Sequence, residues 1–106
     1  MQAREEICHE MSAGEVLNAS HTEYPLYEAI IYGDRVSCAK LSKRLSCALK
    51  HLALRLRFSY EHDTLKAVEA GAVKNPTLTV DSQIFLEGLV QAETITEVFE
   101  KLLKHK

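Results

Sequence analysis

Sulfur is where this sequence holds its chemistry. Cys38 stands in YGDRVSCAKL, residues 32–41, where a β-rich run gives way to glycine, a polar turn and helical spacing. A cysteine at such a junction is ordinarily half of a redox pair, yet Arg35 and Leu41 occupy the positions three residues to either side. Cys47 lies farther along the same helical pattern. Nine steps of ~100° turn it to the opposite face, roughly 13 Å along the axis, so it cannot pair with Cys38 while the helix stands. Cys8 could fold back onto Cys38, but nothing in the sequence requires it. Three cysteines in a reducing compartment are expected to be thiols, and an odd count leaves at least one unpaired within the chain.

A lone sulfur can still react. At a helix N-terminus the dipole favours the thiolate, and Arg35 would add a positive charge, so both lower the thiol pKa. That environment suits glutathionylation, monothiol exchange or redox sensing. The plain alternative is a small apolar residue packed under the helix.

Other reactive groups form no pattern. His9, His21, His51, His62 and His105 lack metal-ligand spacing, and Cys8-His9 is weak bait for zinc or copper. No metal and no cofactor are expected. Glu61-His62-Asp63 reads as a strand end and a helix cap. Nucleotide-binding and common hydrolase patterns are absent from the sequence. A net charge of −2 leaves no footprint for nucleic acid. Arg55 and Arg57, and Lys40, Lys43, Arg44 and Lys50, read as solvated faces. No apolar run approaches a membrane span, and MQAREEICHEM does not resemble a secretory signal, so a cytoplasmic location is expected.

The elements that would position Cys38 follow from periodicity. The length, 106 residues with 46% apolar content, suits one domain. Residues 1–25 are set apart as an N-terminal extension, with a possible short helix around Ile7 and Met11 and a linker closed by Pro25. The domain proper, 26–106, opens with the apolar strand LYEAIIYG. Leu41, Leu45, Ala48, Leu49 and Leu52 then recur at helical spacing, with Asp34 and Ser37 available as N-caps. In LRLRFSY, residues 54–60, Leu54, Leu56, Phe58 and Tyr60 alternate with polar residues, the period of a strand. A helix capped by Asp63 follows, with Leu65, Val68 and Ala72 as possible core contacts. Thr77–Val80 and Gln83–Leu86 form a hairpin around Asp81-Ser82, and Ile95, Val98, Phe99, Leu102 and Leu103 mark the last helix. The order is β-α-β-α-β-β-α. An α/β fold satisfies it, with a mixed four-stranded sheet and helices on both faces.

This order, with a cysteine at the first strand–helix junction and a proline before the third strand, resembles the thioredoxin-like fold. The closer likeness is to the small thioredoxin-like redox-active disulfide proteins. IIYG resembles their first strand and glycine, VEAGAVKNPTLTVDSQIFLEG their cis-proline and hairpin segment, and ETITEVFEKLL their last helix. The likeness covers about residues 27–104. It implies that Pro76 is cis and faces the active-site turn, leaving the backbone of Asn75 free to pair with a bound peptide; a trans proline starting an edge strand is the alternative. Tyr32 could shield such a peptide or simply pack.

The family's C-x-x-C motif is incomplete. In the preferred register Cys38 matches the second, resolving cysteine and Arg35 stands in place of the nucleophile. In the other, Cys38 is the nucleophile and Leu41 the lost resolver. The resemblance therefore implies a degenerate active site. One reading is thiol-dependent exchange or sensing with a protein or small-thiol partner such as glutathione. The other is a non-catalytic binding or scaffold module. A monothiol cluster carrier would need a glutathione site that no residue marks. The sequence does not indicate an oligomeric state.

Overall fold

The structure is a computed structural model that describes residues 8–104. A strand at Leu26–Tyr32 (β2) forms the middle of a five-stranded mixed sheet, whose order is Val16–Leu17 (β1), Arg55–Glu61 (β3), β2, Thr77–Val80 (β4) and Gln83–Glu87 (β5). Its inward residues Tyr27, Ala29 and Ile31 alternate with more exposed ones. A strand at Arg55–Glu61 (β3) runs parallel to it, from Leu26 opposite Arg55 to Tyr32 opposite Glu61. The helix Arg35–Leu49 (α1) makes the crossover that a parallel pair requires. On the other side of β2, a strand at Thr77–Val80 (β4) pairs antiparallel and turns through Asp81-Ser82 into a strand at Gln83–Glu87 (β5). Both turn residues have positive φ, the twist a two-residue hairpin favours.

The fifth strand corrects the expectation of four. Val16–Leu17 (β1) pairs antiparallel with β3, Val16 opposite Arg57 and Leu17 opposite Leu56. An open β3 edge would present a row of unpaired backbone groups, and this segment covers it. The Gly14 N–H donates to the Phe58 carbonyl at 2.6 Å, and the Phe58 N–H to Glu15 at 2.9 Å. Residues 8–15 are not helical, so the possible N-terminal helix does not form there; its remainder lies outside the described residues.

One core joins these elements. Leu41, Leu45 and Leu49 of α1 meet Leu54, Leu56 and Phe58 of the β3 region, all fully buried. The last helix, Ala92–Lys104 (α3), packs against α1 and contributes Ile95 and Phe99. Phe99 meets the Phe85 ring at a centroid distance of 4.9 Å. Residues of the segment before β2 enter the same core through Met11 and Leu17. The short helix Thr64–Glu69 (α2) buries none of its residues fully. Leu65 and Val68, expected as core contacts, are 67% and 60% exposed; of the three residues named, Ala72 alone is buried. A six-residue helix makes fewer than two turns, too few to lay a stripe on the sheet. Among the described residues, no helix is long and apolar enough to cross a membrane.

Candidate functional site

Because β2 and β3 are parallel, their carboxyl ends emerge on the same edge of the sheet, the usual place for a site in α/β proteins. Gly33 leaves β2 with φ +149, a conformation side chains avoid. A Cβ there would lie 2.2 Å from Asn75 Oδ1 and 3.2 Å from Pro76 Cα. Only glycine lets the two segments touch. Asp34 follows as the N-cap of α1, its Oδ1 accepting from the Ser37 N–H at 2.7 Å.

Asn75 binds both ends of that cap. Its Oδ1 accepts from the Asp34 N–H at 3.1 Å, and its Nδ2 donates to Asp34 Oδ2. The Ser37 backbone bond, helped by Asn75, holds the Asp34 carboxyl below its ordinary pKa. Across the turn, His62 Nδ1 lies 2.8 Å from the Gly33 carbonyl, so that nitrogen carries the proton. The Asn75–Pro76 bond is cis. Asn75 is exposed, and its own N–H and C=O make no hydrogen bond to the described residues.

Cys38 sits in the first turn of α1 but points inward. It is 1% exposed, and its Sγ lies 3.7 Å from the Ile31 carbonyl. Burial, then the nearby Asp34 carboxylate, push its thiol pKa up to about 11. The sequence leaves two readings open, a thiolate favoured by the dipole and Arg35 or a sulfur packed under the helix, and the structure buries the sulfur. The reason for the raised pKa is physical. A buried sulfur loses more from desolvation than a helix end returns, and the Asp34 carboxylate adds to the rise.

A cavity of about 440 Å³ opens beside this turn. Arg35, Cys38, Tyr60 and His62 line one side, and residues 10–13 close the other. The segment is tied down by a hydrogen-bonded ring. The Met11 N–H donates to Ser42 Oγ at 2.7 Å, and the Tyr60 hydroxyl donates to the Met11 carbonyl. The Tyr60 and Ser42 hydroxyls lie 2.9 Å apart, so Ser42 donates to Tyr60 and closes the ring. Burial raises the Tyr60 pKa against the lowering pull of Ser42. Ser46 Oγ lies 3.0 Å from the His9 carbonyl. Asn18 Nδ2 donates to the carbonyls of Leu52 and Leu54, just past the end of α1.

The cysteines depart from the expected thiols. Cys8 and Cys47 form a disulfide with Cα atoms 5.3 Å apart, and Cys38 is the free one. The fold-back of Cys8 thus reaches α1 on the face away from Cys38.

Of the residues singled out from sequence, Arg35 and Cys38 share the cavity wall. Asn75 and Pro76 meet the turn from the β4 side, at Gly33 and Asp34. Tyr32, half-buried, pairs with Thr77 and Glu61 and does not line the cavity. Asp34, Ser42, Tyr60 and His62 were missed as site residues. The parallel pairing of β2 and β3 was the available signal for Tyr60 and His62. Among the described residues no three or more His, Cys, Asp or Glu side chains gather as a metal site. Comparison with protein-family models, curated proteins and solved structures finds no match.

Proposed function

We propose that this chain is a thioredoxin-like module with a degenerate active site, and that it binds an extended peptide of a partner protein rather than exchanging thiols at Cys38. The support for the family reading is the sheet order β3-β2-β4-β5, with a parallel β2–β3 unit and a closing hairpin, together with a cis-proline lying against Gly33, just before α1. The observation that carries the binding reading is Asn75: its side chain is pinned to Asp34, while its backbone donor and acceptor, at an exposed position, make no hydrogen bond to the described residues. A peptide strand laid there would satisfy both groups.

Exposed apolar residues flank that position. Val36, in the first turn of α1, is 65% exposed, and Val73, two residues before Asn75, is 76% exposed. They offer apolar area to the peptide's side chains. Cys38 fits a structural part: its sulfur is covered, its proton is held, and Arg35 stands where a nucleophile is missing.

Selection of peptides from a displayed library, followed by NMR shift mapping, tests the reading. Bound peptides are expected to shift Asn75, Val36 and Val73, and Val73→Asp is expected to weaken binding about tenfold, the worth of one buried apolar contact. Cys38→Ser is expected to leave binding intact. Peptides that shift only α3, or acceleration of insulin reduction above the dithiothreitol blank, would overturn it.

A further inference from the structure

The disulfide and the segment it holds have no part in peptide pairing at Asn75. Cys47 is solvent-exposed and Cys8 half-buried, so an incoming thiolate reaches the Cys47 sulfur first. A second cavity, of about 340 Å³, lies against the bond. Lys43 and Arg44 line it, and among the described residues Glu93 is its one acidic group. Arg44 Nη1 donates to the Val90 carbonyl at 3.0 Å, which keeps its charge in place. Two cations beside an accessible disulfide attract a thiolate and stabilise the one that leaves.

The same bond fastens residues 8–13, of which 10–13 wall the Cys38 cavity. Their other ties include the Ser46 bond to His9, the Met11–Ser42–Tyr60 ring, the burial of the Met11 side chain, and Glu15, whose carboxylate accepts from the Ser12 N–H at 2.7 Å and meets His9 Nε2 at 3.2 Å. From residue 14 onward the chain has further anchors of its own, in the sheet and at the end of α1. Gly14 and Glu15 bond to Phe58, β1 pairs with β3, and Asn18 is bound past the end of α1. Gly14, with φ +86 and open space where a Cβ would stand, sits where the two parts meet.

We propose that Cys8–Cys47 is a thiol–disulfide exchange site for an external dithiol, and that its reduction unlatches residues 8–13 from the Cys38 cavity. One thiolate of the dithiol attacks Cys47 Sγ. The bond to Cys8 breaks, and Cys8 leaves as a thiolate and takes a proton from water. The donor's second thiolate then attacks its own sulfur in the mixed disulfide, releasing Cys47, which is protonated in turn. Two electrons and two protons pass to the protein, and the donor leaves as a disulfide. As a means of controlling access beside the peptide face, this inference rests on the binding reading above; the exchange and the opening are measured without a peptide.

The test uses the whole protein and dithiothreitol as the dithiol. Cys38 alkylation by iodoacetamide is followed by mass spectrometry at pH 8 in oxidised protein, in reduced protein and in Cys47→Ser without reductant, with Cys8→Ser as the second variant should the first not fold. The expected result is a rise of tenfold or more at Cys38 in the reduced protein and in the variant, with no further effect of dithiothreitol on the variant. Amide exchange is expected to speed at residues 9–13 and to stay slow at 16–17. An equal Cys38 rate in all three samples overturns the proposal, as do three free thiols in protein purified in air. Opening without peptide binding leaves this proposal standing and removes the binding reading; peptide binding without opening does the reverse.

Discussion

Cys38 and Cys47 stand nine residues apart on one helix and meet opposite conditions. The first lies in the opening turn, where a positive dipole end should favour a thiolate, yet burial and Asp34 keep it protonated. The second lies on the solvent side near the other end, bonded to a residue from a separate segment. The comparison teaches that position on a helix decides less about a sulfur than what packs over it. A sulfur at a position suited to reactivity can be buried, and a cysteine unable to pair with it can hold the reducible bond.

The largest expected effect sets the two cysteines against each other by stability. Without reductant, Cys47→Ser removes a cross-link spanning a sequence separation of 39 and should cost about 2–4 kcal/mol. Cys38→Ala trims one sulfur from the core and should cost about 1 kcal/mol. Urea denaturation of both variants checks the order, and a Cys38 variant as damaged as the Cys47 variant breaks the contrast. Next comes reactivity. In oxidised folded protein at pH 8, Cys38 should alkylate on the order of 100-fold more slowly than in the unfolded chain, from its thiolate fraction alone.

A pH series sharpens the same point. The Cys38 pKa is raised on folding, so the folded state holds its proton where the unfolded chain has released it. Stability from this group is present below the ordinary thiol pKa and is lost as pH rises toward about 11. Wild type should lose up to about 2 kcal/mol more than Cys38→Ala across that window, measured by denaturant melts. The smallest effect concerns the cap. Asp34→Ala forfeits the bonds from Ser37 and Asn75 and should lower Tm by about 5 °C, with Asn75→Ala showing a part of the same drop. The carboxyl's pKa is lowered in the fold, so the contribution lost in that variant should already be absent from wild type once pH falls through it.

Much of the scaffold is legible in the sequence because its signals are local. The alternation of Leu54, Leu56 and Phe58 and the spacing of Ile95, Val98 and Phe99 each need a single element to be read. The meeting of Gly33 with Asn75 and Pro76 could be anticipated only through a family likeness. The edge strand could not be found this way, since two residues carry no period and Val16–Leu17 become a strand only when β3 is there to pair. Nor could the ring of Met11, Ser42 and Tyr60, whose members lie far apart in sequence and look like ordinary polar and apolar residues. The Cys8–Cys47 pairing is of the same kind. At Cys38 the sequence leaves a reactive and a packed sulfur both open, because how deeply a side chain in the first turn is desolvated depends on what packs over it.

The pairing of Val16 with Arg57 has a consequence for how the chain comes off the ribosome. The early residues must wait, with Met11 and Leu17 uncovered, until some forty later ones have been made and α1 and β3 have collapsed. The segment that covers the β3 edge is thus made before its partner strand and can find its place only after it, and closing so distant a contact is the slow step expected of its assembly.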